Sequence, residues 1–142
     1  MALTNPRFEE SYSRIFGEEV TLGPEADDFF LAFYRRFLRD EAVAKLFGDS
    51  DMSRQVGMLR RSLFQFVSYY LVSSVTPEIV RLAKLHTALQ IPHEMFDVWL
   101  ETLLATVEEF DASFDEEVRL AWCWALSPGI TLMKIYMADP RE

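Results

Sequence analysis

The sequence predicts an all-α domain on three observations. Apolar residues recur at helical spacing in every long segment. No stretch alternates apolar and polar residues as a half-buried strand would, and no hairpin signal appears. The few glycines and prolines fall almost entirely between the periodic segments, where they start and stop helices. Six to eight helices in a single domain over residues 1–142 are expected.

Taken in order, Asn5-Pro6 opens a short helix running toward Gly17, with the proline tolerated in the first turn. Gly23-Pro24-Glu25 opens a second helix with a dense aromatic face of Phe29, Phe30, Phe33, Tyr34 and Phe37. Asp40-Glu41 interrupts that face, and a short turn should lead to Leu46-Phe47-Gly48. Asp51 or Ser53 then caps a long helix with apolar residues at 52, 56, 59, 63, 66, 67 and 70, which fades in Val72-Ser73-Ser74. Thr76-Pro77-Glu78 starts the next, and it stops before Pro92. Pro92 begins a helix with Phe96, Trp99, Leu100, Leu103, Val107 and Phe110 on one side. Ser113 and Glu116 resemble a capping box for a last helix from Phe114 toward Met137. Ser127-Pro128-Gly129 should kink or break that helix, because proline lacks a backbone donor and clashes with the preceding turn.

Composition narrows the function classes. Half of the 142 residues are apolar and 14% are aromatic, twelve of them phenylalanine. That suits a protein lining an apolar pocket, and equally a well-filled core. A formal charge of −9 argues against nucleic acid or an anionic membrane as main partner. No apolar run is long enough to span a bilayer, and MALTNPRFEE lacks the features of a secretory signal. A single cysteine, Cys123, excludes an intrachain disulfide and suits a reducing cytoplasm.

Most catalytic motifs are missing: there is no glycine-rich phosphate loop, no HExxH and no GxSxG elbow. A Cys123–His86 nucleophile pair is formally available, but a thiol between two tryptophans on a helix reads as inert. The acidic pairs Glu18-Glu19, Asp27-Asp28, Glu108-Glu109 and Asp115-Glu116-Glu117 belong at helix ends and solvated faces. His93, after Pro92, lies off the apolar face and should be exposed. His86 differs, for it shares an apolar stripe with Ile79, Leu82 and Leu89. Such a histidine is either a core residue bonded to a neighbour or the single side-chain ligand of a macrocycle that supplies the iron's other four ligands. Taken alone, the stretch favours the core role.

The stretches FYRRFLRDEAVAKLFGDSDMSRQ and LAKLHTALQIPHEMFDVWLETLLATV resemble a bacterial single-domain globin, over roughly residues 24 to 126. Features of flavohaemoglobin-like and truncated globins both occur. The resemblance implies a globin fold around a haem pocket, with haem b (iron protoporphyrin IX) as cofactor and His86 as the proximal iron ligand. Phe47 matches the corner aromatic that stacks on the porphyrin. Leu82, Ile91, Phe96 and Trp99 would also contact the macrocycle, and Arg54 and Lys84 would pair with its propionates. Tyr34, Gln55 and Leu59 fall at distal positions, with Gln55 and Leu59 one helical turn apart. Tyr34, Gln55 and Phe47 each have a plain alternative, a core tyrosine bonded to a backbone carbonyl, a surface glutamine and an ordinary core phenylalanine, and Arg54 and Lys84 read equally well as solvated surface residues.

Reversible binding of oxygen, carbon monoxide or nitric oxide follows from the resemblance, with nitric oxide dioxygenation given an external reductase. One departure bears on chemistry. The tyrosine and glutamate that hydrogen-bond around the imidazole in flavohaemoglobin-like globins fall at Phe96 and Met137 here. His86 should then donate only to a backbone carbonyl, which disfavours peroxidase-like activity. A gas sensor, with the kinked last helix as a dimer-forming element, and a haemless interaction module are the alternatives.

Overall fold

The computed structural model describes residues 5–17, 23 and 26–138. Seven α-helices make up the described chain: α1 (Pro6–Phe16), α2 (Asp27–Phe37), α3 (Glu41–Phe47), α4 (Met52–Val72), α5 (Pro77–Ala88), α6 (Glu94–Phe110) and α7 (Glu116–Ala138). No strand occurs among the described residues. Several helices start at a capping side chain. Asn5 accepts a hydrogen bond from the Phe8 N–H ahead of Pro6 in α1, and Thr76 does the same for Ile79 ahead of Pro77 in α5. Asp51 caps α4 by accepting from Ser53, and Ser73 closes it in the left-handed region at φ 54°. The proposed opening of α2 at Pro24-Glu25 lies outside the described residues; its first turn carries Asp27 and Asp28, which suit the positive end of the helix dipole.

Three sequence expectations need correction. The stretch after Asp40 is a helix, α3, because the Asp40 carboxylate accepts from the backbone N–H groups of both Ala42 and Val43 and so nucleates a turn. The cap of α7 is Asp115, which accepts from the Val118 N–H at 2.9 Å, whereas the Ser113 N–H is turned back to Asp111. Pro128 does not break α7, which runs unbroken through Ala138. The helix is packed along its length against α1, α4, α5 and α6, and that burial offsets one missing backbone bond. Gly129 shows how closely α4 approaches here. A Cβ at that position would lie 2.7 Å from the Phe66 ring, so the crossing depends on the absence of a side chain.

The core divides into two connected regions. At one end, α1 meets the α6–α7 corner around the fully buried Trp122, which stands edge-on to Phe8 at a centroid distance of 4.8 Å. At the other, the aromatic face of α2 packs against α6 and α4, with Phe30 and Phe33 fully buried. Helices α4 and α5 both pack on α7 yet barely touch each other. The space between them is the candidate site.

Candidate functional site

Ile79, fully buried, anchors the start of α5 against the core. One and two turns on, Leu82 and His86 continue the same face but are only half-buried, because they border a cavity rather than packed side chains. The cavity measures about 310 Å³ and is enclosed by α2, α3, α4, α5, α6 and one residue of α7. This is within the usual size range of small-molecule and cofactor sites.

His86 is held in one orientation. Its Nδ1 lies 2.7 Å from the Leu82 carbonyl oxygen, four residues back on the same helix. A carbonyl can only accept, so Nδ1 carries the proton. Burial lowers the imidazole pKa from its ordinary value, against the opposing pull of the Leu82 bond. The ring is therefore neutral near pH 7, and Nε2 keeps its lone pair for the cavity that His86 borders. Phe96 supports the ring at a centroid distance of 5.4 Å. Among the described residues no group of three or more histidine, cysteine or acidic side chains is clustered to hold a metal. A metal in this cavity would have His86 as its protein ligand.

The facing wall comes from α2 and α4, with α3 at the corner. Tyr34 and Phe47 meet edge-on at 5.7 Å, and both border the cavity together with Gln55 and Leu59. Burial raises the Tyr34 phenol well above its ordinary pKa, which keeps it a proton donor. That donor is turned to the backbone carbonyl of Gln55 at 3.2 Å. The distance is long for an O–H···O bond, so the phenol is weakly committed.

The cavity thus brings together Tyr34, Phe47, Gln55, Leu59, Leu82, His86, Ile91, Phe96 and Trp99, contributed by five helices and the turn after α5. Arg54 and Lys84 do not join them; both are exposed on outer flanks of α4 and α5. His93 is exposed before α6 and also lies outside the cavity. Cys123 is half-buried, does not border the cavity, and burial raises its thiol pKa, so it gives no nucleophile beside His86.

Several lining residues escaped the sequence reading. Met58, Ser62 and Phe66 follow Gln55 at three, seven and eleven residues, the same face of α4, and that spacing could have found them. Met133 reaches the cavity from α7, and nothing local in its sequence announces this. Leu46, Leu85 and Leu89 line the mouth while remaining exposed, so their apolar surface stays uncovered by the protein itself.

No protein-family model matches the chain, and no curated protein matches it. Among solved structures, a protein from Pseudomonas aeruginosa PAO1 described as structurally highly homologous to a human hemoglobin is similar to it. The two share 30% sequence identity and a TM-score of 0.79, over 95% of this chain and 98% of that one.

Proposed function

We propose that this chain, which belongs to the globin family, is a haem protein that binds diatomic gases reversibly. The observation that carries the reading is the neutral His86, its Nδ1 fixed on the Leu82 carbonyl at 2.7 Å and its Nε2 left for an apolar cavity. Haem b, held there with His86 as its protein ligand, would supply an iron able to bind a gas. Phe47, Leu82, Ile91, Phe96 and Trp99 would hold the macrocycle by apolar contact. The open cavity weighs against a haemless interaction module, whose pocket would be filled by its own side chains.

On the distal side, Tyr34 and Gln55 are able to donate to a polar ligand, and Leu59 limits its room. Donors in an apolar, water-poor pocket act more strongly on developing negative charge than they would in water. The Gln55 side-chain amide has no partner among the described residues, while Tyr34 must first leave the Gln55 carbonyl. Gas binding and that carbonyl therefore compete for one phenolic proton.

The proximal side limits the chemistry. His86 donates to a backbone carbonyl, and a neutral carbonyl draws far less on the Nδ1 proton than a carboxylate would. Carrying or sensing a gas thus fits better than peroxidase-like cleavage. Turnover on nitric oxide would require an external reductase. The test is the absorption spectrum of the reconstituted protein in its ferric, ferrous and carbon monoxide forms. A ferrous form whose spectrum shifts reversibly with oxygen and carbon monoxide is expected; a protein that takes up haem but shows no gas-dependent change would overturn the reading.

A further inference from the structure

The outer face of α7 carries an apolar stripe that neither the cavity nor the core uses. Leu120, Trp124 and Ile135 stand 59%, 44% and 59% exposed, and Thr131 between the last two is exposed as well. With Ser127 and Pro128 these residues fall within about 50° of one direction around the helix and run for roughly 22 Å along it. Between Arg119 and Ala138 the only charged residue is Lys134, and it is turned aside to Asp97 of α6 at 3.0 Å. Arg119 likewise reaches Glu101 of α6 at 2.8 Å. A protein with 26% charged residues thus leaves a whole helix face uncharged. Tyr69 of α4 borders the same face along a groove, and Tyr70 stands edge-on to Trp124 at 6.0 Å.

The stripe reads alike in both directions. Leu120 and Ile135 are equally distant from the Ser127–Pro128 bond, and so are Trp124 and Thr131. A second α7 laid antiparallel across the first, with a two-fold axis at that bond, brings Leu120 of one copy to Ile135 of the other. The bulky Trp124 then meets the smaller Thr131, and the small Ser127 and Pro128 lie at the axis, where the two helices come nearest. Pro128 also leaves the Trp124 carbonyl without its helical donor. The Ser127 and Thr131 hydroxyls make no hydrogen bond among the described residues, whereas Thr102 and Thr106 each bond the carbonyl four residues back. The middle of the face therefore holds both donors and an acceptor still to be paired.

We propose that this face is a homodimer interface, in which two α7 helices pack antiparallel about a two-fold axis at the Ser127–Pro128 bond. Its three most exposed side chains leave on the order of 350 Å² of apolar surface in one line, a size at which patches mark interaction sites. A two-fold pair buries that surface twice, and the Tyr69 side of the groove with the polar edges extends the total toward the roughly 1,200–2,000 Å² of a stable interface. A second copy is the occupant that the symmetry of the stripe selects, because an isologous contact requires each position to suit its symmetry-related one. The pairing is independent of what the cavity holds.

Sedimentation equilibrium tests the dimer, and engineered cysteines test its geometry. At micromolar concentration the natural chain should have twice the mass of one chain. Thr131→Glu sets a carboxylate against each Trp124 ring and should weaken association by about a hundredfold or more. Leu31→Glu, at an exposed site on α2, should leave it unchanged; both sites are exposed, so both variants should keep the natural helical content. In a Cys123→Ser background, Ser127→Cys should oxidise to a covalent dimer, because its two thiols meet at the axis. Leu120→Cys should not, since that position and its copy lie about 22 Å apart. A monomeric natural chain, an undiminished dimer in Thr131→Glu, or an equal loss in Leu31→Glu would overturn the interface. Failure of Ser127→Cys to cross-link faster than Leu120→Cys would overturn its antiparallel geometry.

Discussion

Around Trp122, where α1 meets the α6–α7 corner, polar groups are buried and paired, while around His86 apolar side chains surround space that they do not fill. At the first end, the Trp122 indole N–H donates to Ser11 at 2.9 Å, and the Ser11 hydroxyl donates to Asp111 at 2.6 Å. Arg14 grips both carboxylate oxygens of Asp111, at 2.6 and 2.9 Å. Asn5, buried beside them, donates to the Ala121 carbonyl at 2.9 Å. At the second end, His86 spends one nitrogen on the backbone and keeps the other, and the Tyr34 bond is long. A satisfied network fixes how three helices meet and has no capacity left for a ligand. A region with a free donor atom and an unfilled cavity gives up packing energy and gains a place for one.

The comparison is broken most severely by removing a buried charge from the filled end. Asp111→Ala leaves the Ser11 hydroxyl, the Ser113 N–H and the Arg14 guanidinium without their acceptor. A loss of about 3 kcal/mol in chemical denaturation is expected, at the lower end for a buried pair because Arg14 is partly exposed. Its pH dependence has a definite sign. Burial pushes the Asp111 carboxyl up, but Arg14, Ser11 and Ser113 together hold it below its ordinary value. Stability from this group is therefore complete above about pH 4 and is lost as the pH falls through the lower folded value. The variant should lose that part of the acid unfolding limb, and in its folded form should still bind haem. A variant as stable as the natural chain between pH 5 and 8 would contradict this account of the filled end.

A smaller effect sharpens the other side. Tyr34→Phe should speed oxygen release by on the order of tenfold to a hundredfold, the usual cost of a hydrogen bond to a charged acceptor, appearing mainly in the dissociation rate. Carbon monoxide places little charge on its oxygen, so its release should change much less. Unchanged oxygen release would mean that the phenol stays on the Gln55 carbonyl and serves packing alone.

The difference between the regions also explains what could be read in advance. Helix starts at Asn5, Asp51 and Thr76 are written in two or three adjacent residues, because a cap satisfies backbone groups within one turn. The aromatic face of α2 was equally legible, since all five of its expected residues are buried. The break expected at Pro128 was not realised, because the packing that keeps α7 helical through it comes from distant helices. The Asp111 network spans up to 111 residues between Ser11 and Trp122 and left no local pattern to find. The candidate site lies between these cases. His86 stood out as an imidazole on an apolar stripe, and Phe47, Tyr34 and Gln55 were found through family spacing.

The central claim is that His86, neutral and oriented by Leu82, is the one protein ligand to an iron in this cavity. Titration of the apoprotein with ferric protoporphyrin IX, followed by absorption, tests it most directly when the natural chain and His86→Ala are compared. The natural chain should saturate at one equivalent. The variant should keep its helical content and lose affinity by on the order of a hundredfold or more, with free imidazole restoring part of the natural spectrum, because no second histidine borders the cavity. A variant that binds one equivalent with unchanged affinity and an unchanged spectrum would contradict the account.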